Sequence, residues 1–152
     1  MRLLFIAILV LQVSACAALP KDPSMFTPSD FSHLKFLEGR WVGTGPDGKP
    51  FYEQYSFSND AQMQSSRFAD STFGEVTDGS SVSLLEGRIT SHWNEFTWEA
   101  STVVPGKACF DPINAPSSFC WERTSDSTVE VTQRWKDEHG NDQTYVVPMR
   151  RL

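Results

Sequence analysis

The chain has 152 residues, 39% of them hydrophobic, and carries a formal net charge of −6. That length suits one domain. The acidic balance leaves no basic stripe to neutralise phosphate, which argues against nucleic-acid binding and against electrostatic attachment to anionic lipid headgroups.

The first element in chain order is a leader. Met1-Arg2 opens an apolar run that ends in Val13-Ser14-Ala15. A charge, an apolar stretch and small residues form the pattern of a cleavable export signal. The run is shorter than the ~20 residues of a comfortable membrane span. Cys16 stands at the cleavage point.

Val13-Ser14-Ala15-Cys16 resembles a bacterial lipobox. The resemblance implies that Cys16 is lipidated on sulfur and becomes the first mature residue. Ala17 follows it in place of an Asp, which by the sorting habit of such lipoproteins implies the outer membrane, facing the periplasm. Loss of Arg2 with the leader would take the formal charge to −7. Membrane attachment then rests on the lipid, at about 0.8 kcal/mol per buried CH₂, with one chain marginal and several stable. The alternative is an ordinary secretory signal, with Cys16 removed or left as a free thiol.

Residues 16–27 read as the lipidated N-terminus and a tether. Pro20 and Pro23 stiffen that segment, and it has no periodic apolar face. The domain is expected over 28–152. It opens with one short helix near Ser29–Leu37: Thr27 is the N-cap, Pro28 the first helical residue and Asp30 an acid in the first turn. Phe31, Leu34 and Leu37 form its apolar stripe, and Gly39 stops it.

Beyond Gly39 the period is two. Phe51, Tyr55 and Phe57 share a face, as do Val129, Val131 and Trp135, and Tyr145, Val147 and Met149. Phe96 and Trp98 are expected on one face of a strand His92–Glu99, with Trp93, Glu95 and Glu99 on the other. Turn signals lie at Pro46-Asp47-Gly48, Ser58-Asn59-Asp60, Asp78-Gly79, Pro105-Gly106 and Gly140-Asn141. The expected strands are Arg40–Gly45, Pro50–Phe57, Met63–Ala69, Val82–Thr90, His92–Glu99, Ser118–Arg123, Thr128–Lys136 and Thr144–Arg150. The fold class is therefore all-β: an antiparallel up-and-down barrel of about 8–10 strands, or alternatively a β-sandwich.

Cys109 and Cys120 flank a Pro-containing segment expected to be a loop or broad hairpin. With Cys16 accounted for, the remaining pair suits a disulfide in an oxidising compartment. Free thiols are the alternative. A redox pair would sit closer in sequence, and zinc would need more ligands.

The run Gly39-Arg40-Trp41-Val42-Gly43 after a short helix resembles the first strand of calycin barrels such as lipocalins and nitrobindin-like proteins. That resemblance implies that Gly39 and Trp41 close one end of the barrel against a late basic residue, Arg150 or Arg151. Haem-binding members use a late histidine, and Thr144–Leu152 has none, so no cofactor or metal is expected. His33, His92 and His139 read as structural or solvent-facing.

Aromatic side chains are the other prominent feature. Tyr55, Phe57, Phe96, Trp98, Trp121 and Trp135 are the candidate wall of a ligand cavity, though the same inward positions equally suit a filled core. Catalytic motifs such as Gly-x-Ser-x-Gly or His-Glu-x-x-His are absent. Glu95 and Glu99 read as surface carboxylates, and Glu53 and Arg67 as a pair across neighbouring strands. The expected function is binding of a small apolar or amphipathic molecule by an exported, lipid-anchored protein. The rival readings are a filled barrel serving as an envelope interaction module, and an enzyme with no recognisable motif.

Overall fold

The computed structural model describes residues 25–152. The expected signal 1–15, Cys16 and the tether as far as residue 24 lie outside the described residues. Helix α1 spans Pro28–Ser32 and passes into a 3₁₀ segment, His33–Leu37. Thr27 and Asp30 form a reciprocal capping box, with Asp30 Oδ2 accepting from the Thr27 backbone N–H at 2.7 Å. The helical segment expected over Ser29–Leu37 is thus present, with its second half wound more tightly.

Ten strands follow: β1 Gly39–Thr44, β2 Pro50–Asn59, β3 Gln62–Phe68, β4 Val76–Leu85, β5 Arg88–Trp93, β6 Phe96–Val104, β7 Lys107–Pro112, β8 Ser118–Arg123, β9 Thr128–Lys136 and β10 Asp142–Arg151. Each pairs antiparallel with its sequence neighbour. β1 pairs with β10 through Trp41↔Arg151, Val42↔Arg150 and Gly43↔Met149, which closes the barrel. Closure removes the sandwich alternative, because a sandwich keeps free edges.

Two expected strands and one expected turn need correction, and β7 was not among the expected strands. Val82–Thr90 is two strands, split at Glu86-Gly87, where both residues take positive φ (50° and 79°). That is the two-residue hairpin geometry whose twist suits flanking strands. His92–Glu99 is likewise split, at Asn94-Glu95, with Asn94 at φ 51°. Asp78-Gly79 is not a turn. It lies inside β4 beside a register shift, and a Cβ on Gly79 would stand 2.9 Å from the Ser65 carbonyl oxygen. A glycine within a strand often marks such a close approach.

The segment between the cysteines is the β7–β8 hairpin. Cys109 and Cys120 are directly opposed, Cα to Cα 4.1 Å, and bonded. Their neighbours Phe110 and Trp121 face inward, so the disulfide lies on the outer wall. Closing this short loop stabilises by roughly 3 kcal/mol in the loop-entropy account.

Hairpins alternate between the two barrel ends. The end carrying β2–β3, β4–β5, β6–β7 and β8–β9 turns is plugged by the helical segment. Phe31, Leu34 and Leu37 are buried to 1% exposure or less. Phe57 meets Phe31 edge-on at 6.1 Å between ring centres. Trp41 Nε1 donates to the Leu37 carbonyl at 2.6 Å. Arg151 donates to the carbonyls of Phe36 (2.8 Å) and Glu38 and stacks its guanidinium 4.4 Å above the Trp41 ring. The C-terminal carbonyls of the plug, which lack intrahelical partners, are thereby bound by β1 and β10. Gly39 takes φ +119° beneath that guanidinium, where a Cβ would stand 2.8 Å from Arg151 Nη1. Of the two late arginines Arg151 is the closing residue; Arg150 is exposed and donates to the Arg151 carbonyl at 3.2 Å.

Arg151→Met should lower unfolding free energy by about 2–4 kcal/mol through two lost charged hydrogen bonds and one cation–π contact. Arg151→Lys should recover less than half, because an ammonium cannot serve both carbonyls in a fork while stacking on the indole. Urea unfolding monitored by tryptophan emission reads both.

Candidate functional site

With one end plugged, the barrel interior opens at the other, among the β1–β2, β3–β4, β5–β6, β7–β8 and β9–β10 connections. It holds a cavity of about 530 Å³, within the ~300–1,000 Å³ range of small-molecule sites. Strand alternation turns Phe51, Glu53 and Tyr55 of β2 inward, with Ser65 and Arg67 of β3, Phe119 and Trp121 of β8, and Val131 and Gln133 of β9.

Aromatic rings form one continuous wall. Trp93 stacks on Phe96 at 6.0 Å, Phe96 meets Trp98 at 6.2 Å, and Trp98 meets Phe119 edge-on at 5.5 Å. Phe119 continues to Trp121 at 4.9 Å, and Trp121 to Tyr55 at 5.9 Å. Fully buried Phe110 backs the wall, stacked on Phe119 at 4.9 Å. Offset and edge-on contacts of this kind each add about 0.5–1.5 kcal/mol beyond burial. Trp98 Nε1 donates to the Ser117 carbonyl at 2.6 Å, which fixes the indole against the β7–β8 loop.

Polar groups occupy the opposite wall. Arg67 places Nε and Nη2 on Glu53 Oε1 at 3.1 and 2.5 Å, and Tyr55 donates its hydroxyl to Glu53 Oε2 at 2.6 Å. The Arg67 guanidinium also lies 4.6 Å above the Phe51 ring. Phe51 in turn fills the space above Gly43, where any Cβ would overlap its ring. Burial, then the Glu53 charge, then the hydrogen bond to Glu53 push the Tyr55 hydroxyl well above its usual range. Nearer the mouth, Asp78 accepts Trp93 Nε1 on both oxygens, at 3.0 and 2.9 Å.

The expected wall residues divide. Tyr55, Phe96, Trp98 and Trp121 line the cavity. Phe57 and Trp135, expected with them, lie outside it. Phe57 has the right parity but sits two residues nearer the plug and packs on Phe31. Trp135 lies past Gln133 at the rim, 37% exposed. Trp93 corrects the expected facing. The Asn94-Glu95 turn makes it the cross-strand partner of Phe96, so both rings reach the same cavity. Glu95 lies in that turn, while Glu99 faces outward and pairs with Arg88 at 2.5 Å. Glu53 and Arg67 do pair, inside the barrel. Asp78 and Phe119 were not singled out for the wall: Asp78 was masked by a turn-like Asp-Gly, and Phe119 by its place between the cysteines.

Among the described residues no three of His, Cys, Asp or Glu converge on a point where a metal would sit. His92 faces outward and bonds Thr90 and Thr97 at 3.2 and 3.1 Å, while His139 lies in the β9–β10 turn.

A scan against protein-family models gives no match, and a search of curated proteins gives none either. Solved structures give distant likenesses. One is EF1p2_mFAP2b bound to DFHBI, 12% identical at TM-score 0.42 over 80% of this chain and 98% of that one. Another is a protein of unknown function from the DUF3598 family of Nostoc punctiforme, 15% identical at TM-score 0.49. That match covers 91% of this chain and 53% of the other, so the present chain spans about half its length. A redesigned β-barrel, b11L5F_LGL, is 10% identical at TM-score 0.35 over 79% and 95% of the two chains.

The raised Tyr55 pKa favours the folded state below the ordinary phenol value of about 10, and that contribution is lost as pH rises above it. Tyrosinate absorbance of the native protein, compared with Tyr55→Phe, should show no ionisation of Tyr55 until alkaline unfolding.

Proposed function

We propose that this protein binds a small amphipathic molecule in the barrel cavity while held at a membrane through lipid on Cys16. The observation that carries the binding reading is the 530 Å³ space itself, walled by stacked aromatics on one side and by Glu53 and Arg67 on the other, with Asp78 beside Trp93 at the mouth. Tyr55 of β2 and Trp121 of β8 meet across the interior at 5.9 Å, and the space beside that contact stays open to the mouth. The plug blocks one end, so a ligand enters at the mouth framed by Trp93 and the β7–β8 loop.

We read the site as a binder and not as a catalyst. Both Glu53 oxygens already accept from Arg67 and Tyr55. The trio therefore acts as a fixed polar wall, with no carboxylate left unengaged at that depth to serve as a general base. The anchoring reading rests on the lipobox-like Val13-Ser14-Ala15-Cys16 and Ala17, which also support an outer-membrane position facing the periplasm. The Cys109–Cys120 disulfide is compatible with that oxidising space.

Native mass spectrometry of the full chain isolated from its own host should show a co-purifying small molecule. Val131→Trp, which fills the cavity from β9, should lose that molecule and keep the fold. Recovery of the bare protein in both cases, with no uptake from a panel of amphiphiles, would count decisively against the binder. For the anchor, the intact mass should include acyl chains, and Cys16→Ser should move the protein from the membrane to the soluble fraction.

A further inference from the structure

We infer that the cavity selects an organic cation: an ammonium or similar positive group carried on a compact apolar or aromatic body. The inference rests on the reading of the cavity as a binding site and concerns which molecules enter it. Charge accounting comes first. The lining holds three formally charged side chains, Glu53, Arg67 and Asp78. Arg67 is committed to Glu53 by two hydrogen bonds to Oε1 and is held flat on Phe51. That pair is internally neutral. Asp78 stands opposite Arg67 in the β3–β4 register but makes no ion pair with it, because the guanidinium is turned to Glu53. The Asp78 carboxylate accepts from the neutral donors Trp93 Nε1 and the Gly79 backbone N–H (2.8 Å), and no cationic side chain among the described residues forms an ion pair with it. The two carboxylates and one guanidinium of the lining therefore sum to a net charge of −1, and the carboxylate without an ion pair is the one near the mouth.

Ring chemistry points the same way. The π faces of tryptophan and other aromatic rings attract cations, most strongly where water is excluded. Here the Asp78 carboxylate adjoins the outer end of the wall that runs from Trp93 through Phe96 to Trp98. The Trp93 indole links the two features, since its N–H is spent on Asp78 while its ring stacks on Phe96. An anion entering past Asp78 would meet repulsion and find Arg67 already engaged. A neutral apolar body would fill the space without engaging the Asp78 carboxylate. The molecule's net charge of −6 also draws cations toward it at long range.

Three probes of one shape test this on the full chain by ligand-observed NMR titration. Benzyltrimethylammonium is the cation. Neopentylbenzene replaces its nitrogen by carbon, and benzylphosphonate presents a tetrahedral anion. The cation should bind about tenfold more tightly than neopentylbenzene, and benzylphosphonate should bind weakest. Asp78→Asn keeps an oxygen for the Trp93 N–H and should cut the preference for the cation to about threefold, with neopentylbenzene unchanged. An unaltered near-ultraviolet circular dichroism spectrum verifies that variant's fold. Equal or tighter binding of neopentylbenzene or benzylphosphonate overturns the cation assignment while leaving the cavity as a binding site. An undiminished preference in Asp78→Asn overturns the role given to that carboxylate. Binding of none of the three overturns both this inference and the binding reading beneath it.

Discussion

Arg151 and Trp41 hold the structure to its shape. The helical segment ends with carbonyls that lack partners along the chain, and these two side chains supply the donors. Because one sits on β1 and the other on β10, the same contacts clasp the two strands that close the barrel. Trp41 is 1% exposed, so its indole N–H would be costly to leave unpaired. Strand closure and end closure are therefore one event.

Everything at the other end follows from that. A plug at one mouth leaves the interior accessible from the other, and the hairpins there carry the residues that frame it. The interior is divided by chemistry: stacked aromatic rings on β5, β6 and β8 face an ion pair and a hydroxyl on β2 and β3. The β3–β4 connection does not cover the opening. Phe73 takes φ 56° and folds onto the outer wall, against Phe68 at 4.9 Å and Tyr52 at 6.0 Å, with Arg40 4.5 Å above its ring. A positive φ is unfavourable for a bulky residue. The packing of three neighbours around the ring offsets it and holds that loop aside.

Much of the fold was legible because strand patterning is local. Thr27, Pro28 and Asp30 announce a helix start by side-chain chemistry within four residues, and that cap is present. Period-two runs on β2, β9 and β10 identify inward positions without reference to partners. Legibility failed where a turn lacked its usual residues. Glu86-Gly87 and Asn94-Glu95 carry at most one strong turn former each, so the strands on either side read as continuous. The second failure put Trp93 on the wrong face. Asp78-Gly79 failed in the opposite sense: a turn-like dipeptide served a close strand approach. Parity also says which way a side chain points but not how far along the axis it sits. Phe57 and Trp135 face inward by pattern yet stand at opposite ends of the cavity, beyond its floor and its rim.

The sequence by itself determined the all-β class, the direction of most side chains and the start of the helix, because each rests on spacing or on a short motif. Barrel against sandwich, disulfide against free thiols, and Arg151 against Arg150 were decided by tertiary structure. The lipobox-like Val13-Ser14-Ala15-Cys16, on which the proposed anchoring rests, lies before the described residues. Tertiary structure alone decided that the interior is hollow, since filled and empty barrels need the same inward apolar positions and differ only in how rings meet across the axis. It alone decided which charges are spent. Glu53, Arg67 and Asp78 are three unremarkable residues in a list. Strand register sets Arg67 opposite both carboxylates, and its guanidinium bonds Glu53 while Asp78 accepts from the Trp93 indole.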